Sequence, residues 1–296
     1  MPTVADIAAF CTLPRRPAQP PRGLWLIAPS LVLAVLFFYP LALILRAAFG
    51  EEGAPASLAA FREVLGSVLF LDGLEHTVVI AALSTLGCLV LGFTLSMAIA
   101  FVPFAGVKFA GRLIDAIISL PTFLVTLAFT FVYGSAGLLN AGLMREFGFA
   151  LPPVDFLYSQ WGVILAEITV YTPFVMRPLL AAFSTIETAQ IEVASSLGAR
   201  PWRIVGHIIL PAALPALLAG GSLCLLLTVN EFGIVLFIGA KDVITLPLLI
   251  YGKAIQEFDY TSAAVIAVVN VALSLALYAV YRGVLGRFGG ARAGLV

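Results

Sequence analysis

Residues 186–211 read IETAQIEVASSLGARPWRIVGHIILP, and the kind of chain that surrounds them follows from their pattern. From Glu187 to Leu197 the residues favour a helix, with Ile191, Ala194 and Leu197 recurring at the spacing of one apolar face. Gly198 then supplies a stop, because glycine enters the left-handed conformation of a helix end at little steric cost. Pro201 suits the first turn of a second helix, where its missing N–H would be unpaired anyway. Trp202, Ile204, Val205, Ile208 and Ile209 make that helix apolar, and Pro211 opens onto a long uncharged run. The result is a short helix–turn–helix, cornered at Gly198, between two apolar segments.

Outward from this loop the chain is built for a bilayer. Of its 296 residues 61% are hydrophobic and 11% charged, with a mean hydropathy of +1.09. Ordinary globular chains carry about a quarter charged residues, so a soluble fold of this length could not bury so much apolar surface. A membrane span needs about 20 mostly apolar residues. Such runs lie between Arg22 and Arg46 and at 76–102, 113–133, 161–183, 212–238 and 261–285. They predict an all-α membrane protein of six transmembrane helices. The Pro- and Arg-rich residues 1–22 read as an N-terminal tail, 23–288 as the six-span domain with its loop at 186–211, and 289–296 as a C-terminal tail. The first apolar run starts too late and runs too long for a cleavable signal peptide, so it should stay as an anchor.

Charge placement sets the orientation. Arg15, Arg16, Arg22, Lys108, Arg112, Arg177, Arg200, Arg203, Arg282, Arg287 and Arg292 fall on one side. The other side has Arg46, Arg62, Arg145, Lys241 and Lys253 amid acids such as Asp72, Asp155, Glu257 and Asp259. Both termini and the 186–211 loop are therefore expected in the cytoplasm, and an even number of spans agrees. A net charge of zero offers no basic field for nucleic acid. Cys11, Cys88 and Cys224 suit no disulfide framework and read as small apolar residues.

With its side and its neighbours assigned, the loop resembles the EAA loop of ABC importer permeases. The match runs through Glu192, Ala194, Leu197, Gly198, Ala199, Leu210 and Pro211 at the family's spacing. It departs at Val193, where alanine is usual, and at Val205, where phenylalanine is common. The resemblance implies the type I importer fold and a loop that docks on an ATP-binding subunit. It also implies a second permease subunit, in a heterodimer, and a periplasmic solute-binding protein. The stretches SLPTFLVTLAFTFVYGSAGLLN (119–140), LPPVDFLYS (151–159), AEITVYTPFVMRPL (166–179) and GGSLCLLLTVNEFGIVLFIGAK (220–241) are similar to permeases of 2-aminoethylphosphonate importers. More distantly they resemble permeases for sulfate, molybdate and polyamines. The implied location is the bacterial inner membrane.

A carboxylate inside a span costs a few kcal/mol and needs a partner or a use. Glu167 lies roughly 9 Å in from the outer end of the fourth span, and Glu231 roughly 28 Å along the fifth, at the helical rise. Both fall in the outer half, with Tyr171, Thr228 and Asn230 close in sequence. These five residues are candidates for a substrate pathway in which a carboxylate attracts an amine. The competing reading makes the same carboxylates packing devices between helices. Pro173 and Pro178 should kink the fourth span. His76 and His207 sit at span edges without metal-ligand company, and no metal or cofactor is expected.

A phosphate-binding loop would need Gly-Lys followed by Ser or Thr; the one Gly-Lys pair, Gly252-Lys253, precedes Ala254. ATP hydrolysis is therefore expected on another subunit, and the chain is not read as an enzyme. An ion-coupled secondary transporter could use the two carboxylates but would leave the 186–211 loop unexplained.

Overall fold

The computed structural model describes residues 24–50 and 57–289, and every regular element among them is helical. The tail read at 1–22 lies outside the described residues; Gly289, the first residue of the tail read at 289–296, ends the last helix instead. In chain order the helices are α1 (Leu24–Leu33), α2 (Tyr39–Ala48), α3 (Ala59–Leu65), α4 (Val68–Phe101) and α5 (Val107–Ser119). Then come α6 (Thr122–Tyr133), α7 (Leu138–Phe147), α8 (Gln160–Phe183), α9 (Thr188–Ser196) and α10 (Pro201–Ile204). The last are α11 (Leu210–Val229), α12 (Gly233–Ile238), α13 (Leu246–Tyr251) and α14 (Tyr260–Gly289). Six stretches are long and apolar enough to cross a membrane: Pro29–Ala48, Val68–Phe101, Thr122–Phe147, Gln160–Phe183, Pro201–Val229 and Tyr260–Val284.

Proline explains several departures from plain helix. Wide π turns at Ala34–Phe38 and Val205–Ile209 each lie two residues before a proline, Pro40 and Pro211. The residue between donates its N–H five residues back, Tyr39 to Ala34 O and Leu210 to Val205 O. A proline ring collides with the carbonyl four residues behind it, and the widened turn moves that carbonyl aside. The run expected as one span at 113–133 is broken at Leu120 and Pro121, whose ψ angles are 135° and 137°. A residue before proline is pushed out of the helical region, and that signal was there to be used. Pro173 and Pro178, by contrast, sit inside an unbroken α8.

The run expected at 212–238 also fails to stay continuous: helix ends at Val229 and resumes at Gly233. The second span starts at Val68, earlier than the expected 76. Arg177 lies within α8 rather than in the loop that follows, and its charge is met by an ion pair with Asp115 on α5.

Two compact units divide the chain, Met1–Arg46 and Ala47–Val296. In the first, the apolar side chains from Leu31 to Leu45 are exposed, as suits a helix whose solvent is lipid. In the second, α8 is the most buried span, with α4 and α11 packed against it and against each other. Val175 of α8 is their meeting point. A Cβ on Gly92 of α4 would lie 3.0 Å from Val175 Cγ1, and one on Gly220 of α11 would lie 3.0 Å from Val175 Cα. Between spans lipid supplies no hydrophobic drive, so association rests on close packing, which small residues permit. A second apolar cluster, with Phe70, Leu246, Leu249, Val265 and Ile266, ties the start of α4 to α13 and α14.

Candidate functional site

The corner after α9 closes as a Schellman motif. Gly198 takes φ +80°, its N–H donates to Ser195 O at 2.9 Å, and the Ala199 N–H donates to Ala194 O at 3.0 Å. Arg200 is extended and Pro201 opens α10, so the chain turns within a few residues. Ile191, Ala194 and Ala199 pack inward against the main core. Leu197 does not join them: it is 83% exposed, a correction to the expected apolar face. Leu197 lies six residues after Ile191, which at about 100° per residue turns it roughly 120° away from the face Ile191 leads. Glu192, Gly198, Leu210 and Pro211 are likewise exposed. Trp202 is 62% exposed, with the Arg203 guanidinium 5.2 Å from the centre of its ring. The loop therefore holds itself by its inner face and offers a carboxylate and large apolar side chains outward.

Of the five pathway candidates, Tyr171 of α8 and Glu231, just past α11, are brought together by a hydrogen bond, while Thr228 and Asn230 face other helices. Glu231 is buried; its Oε2 accepts from the Tyr171 hydroxyl and its Oε1 accepts from the Ile234 N–H at 2.8 Å. Thr228 donates to Leu225 O at 3.0 Å and lies 3.4 Å from the Thr85 hydroxyl of α4. Asn230 turns to the sixth span, donating to Ser274 Oγ at 3.3 Å and accepting from Asn270 Nδ2 at 3.0 Å. Glu167, one helical turn from Tyr171, is 1% exposed, and among the described residues neither of its oxygens has a hydrogen-bond partner. The Ser84 hydroxyl of α4 is also buried without a partner. So one carboxylate is fully engaged and the other is left with unused capacity.

Residue-by-residue reading missed Ser84, Thr85, Asn270 and Ser274. The only sequence signal was their polarity inside apolar runs, with Asn270 and Ser274 one turn apart. Cys88 and Cys224 are free and fully buried, as small apolar residues would be. Beside the seam, a groove of about 320 Å³ opens between α4, α5 and α8, lined by residues such as Leu91, Leu95, Ile114 and Met176. Walls of that kind suit alkyl chains and not a charged solute.

Comparison with known proteins fits this geometry. Residues 91–289 match the family described as binding-protein-dependent transport system inner membrane components. A permease of Salmonella typhimurium named for a 2-aminoethylphosphonate transport system, PhnU, is 59% identical over 266 residues, covering 90% of this chain and 93% of that one. The sulfate transport system permease CysT of Escherichia coli is 34% identical over 192 residues, 62% of this chain and 66% of that one. Among solved structures, a bacterial ABC transporter that imports alginate superposes with a TM-score of 0.77 at 19% identity, over 89% of this chain and 94% of that one. That likeness establishes the fold.

Proposed function

This chain belongs to the family of binding-protein-dependent transport inner-membrane components, and from that premise we propose that it carries 2-aminoethylphosphonate across the inner membrane. It is a multi-pass permease subunit of such an importer. The observation that supports this cargo is the 59% identity to the Salmonella permease named for it, sustained over 90% of the chain. The phosphonate cargo is a small zwitterion, and the polar seam supplies carboxylate and hydroxyl groups where the neighbouring groove is apolar. In our reading the pathway follows Glu167, Tyr171, Thr228, Asn230 and Glu231. Contacts there are weak by design, because a tightly held cargo would be slow to leave; selectivity then resides in a periplasmic binding protein.

ATP is hydrolysed, in this reading, on separate subunits that grip the loop through Glu192, Ala194, Leu197, Gly198, Ala199, Leu210 and Pro211. The exposed Leu197 and Trp202 support it, since they are apolar side chains left uncovered among the described residues. The permease pairs with a second, non-identical permease subunit, and both termini lie in the cytoplasm. Single cysteines at Asp155 and Arg287, in a chain lacking the native three, test the orientation: an impermeant maleimide should label position 155 in intact cells and spare 287.

The test of cargo is growth on 2-aminoethylphosphonate as sole phosphorus source in cells with no other phosphonate importer. Deleting this gene should abolish that growth. The 34% identity to a sulfate permease motivates one rival reading. Loss of sulfate, molybdate or putrescine uptake, with phosphonate growth intact, would replace the cargo while keeping the importer.

A further inference from the structure

Helix stops at Val229, the last residue of the fifth span, and restarts at Gly233. Glu231 is buried there, and backbone groups that leave helix in a buried place need other partners. The backbone nevertheless leaves helix at Asn230 (φ −103°, ψ 11°) and Phe232 (φ −120°, ψ −44°). Side chains within the break replace the missing backbone bonds. Asn230 Nδ2 donates to Leu226 O at 2.8 Å, and Glu231 Oε1 accepts from Ile234 N–H at 2.8 Å. The helices on either side keep partly different company: α11 packs on α4, α8 and α14, while α12 packs on α6 and also on α8. Asn230 to Phe232 is thus an elbow between two differently anchored pieces. At the elbow itself Glu231 adds a polar link to α8, which both pieces pack on, because its other oxygen takes the Tyr171 hydroxyl.

We propose that Tyr171 and Glu231 form the latch of a gate at this elbow. Their hydrogen bond holds the α11–α12 elbow against α8 in the conformation described, and it parts when the pathway opens. Glu231 is then a positioning residue for transport rather than the group that meets the cargo's amine. The idea rests on the pathway reading above and narrows it. Within the seam, Glu167 keeps free acceptors for a passing cation, whereas Glu231 has both oxygens committed.

The test uses the whole transporter, with its ATPase subunits, in proteoliposomes. ATP hydrolysis without binding protein reports how easily the spans open, whatever the cargo is, so an error in the cargo leaves the readout intact. Tyr171→Phe deletes one hydroxyl and keeps the ring against Phe174, 6.1 Å away between centres. Loss of that hydrogen bond should raise basal hydrolysis about tenfold. Glu231→Gln retains an oxygen for Ile234 and weakens the bond to Tyr171, so it should move hydrolysis the same way. The double variant should match Tyr171→Phe, since with the hydroxyl gone the second substitution has no bond left to weaken. Unchanged or lower basal hydrolysis, with only the melting temperature reduced, would make the bond a permanent packing contact and overturn the latch. Additive effects of the two substitutions would overturn it as well.

Discussion

Gly198 and Gly220 are the same residue kept for opposite reasons. At Gly198 the backbone is left-handed (φ +80°) and a Cβ would meet nothing within 4 Å. At Gly220 the backbone is ordinary helix, and a Cβ would lie 3.0 Å from Pro178 Cγ and from Val175 Cα and 3.3 Å from Phe174 O. One position is strained but roomy, the other relaxed but full. The difference separates the two working regions of the permease. The loop must keep a shape while leaving its surface free, and the span junction must keep contact while sparing no volume. Glutamates divide in the same way, Glu192 exposed on the loop and Glu167 buried at the junction.

The largest expected effect comes from filling the full site. Gly220→Val should cost upward of about 1–3 kcal/mol, because two of the three atoms it meets are α8 backbone and cannot swing away. Aggregation on size-exclusion chromatography is the expected outcome; a monodisperse, active Gly220→Val protein would break the comparison. Gly92→Ala should be milder, since its nearest neighbours are side-chain atoms of Val175. Straining the roomy site comes next. Gly198→Val should cost about 1–2 kcal/mol locally, with normal membrane yield but reduced co-purification of the ATPase subunit and reduced uptake. Gly198→Asn should recover most of both, as asparagine tolerates the left-handed region. Leu197→Asp sharpens the point further: at this exposed site it adds neither strain nor crowding, so stability should hold while ATPase docking fails.

The smallest effect is expected where neither strain nor crowding acts. Asp259 caps the sixth span, its Oδ1 accepting from the Ser262 N–H at 3.0 Å. Hydrogen bonds from Ser262, side chain first, hold its carboxyl below the usual range. A lowered folded-state value contributes stability above the unfolded pKa and loses it as pH falls through the folded one. The loss therefore belongs below about pH 4. Asp259→Ala should lower stability by about 1 kcal/mol and flatten the acid limb of a thermal-melt pH profile.

Much of this permease is dictated locally. Six apolar runs follow from composition, because burying or wetting some 20 residues in a row leaves the chain little choice of solvent. The corner at Gly198 is local too, resting on one residue's backbone freedom and a proline three positions on. What tertiary structure alone decided lies between residues far apart in the chain. Tyr171 and Glu231 are 60 positions apart, and nothing near either names the other. Glu167 and Glu231 look alike in sequence, a carboxylate in an apolar run, yet one is left without partners and the other is doubly bound. Leu197 follows Ala194 at a core spacing yet faces outward, because six residues after Ile191 the helix has turned it roughly 120° from that residue. Gly92 and Gly220 are ordinary helix residues until Val175 arrives between them. Local sterics act within a turn of helix and can be read along the chain; packing and hydrogen bonding across a seam depend on which faces meet, and only the assembled helices supply that.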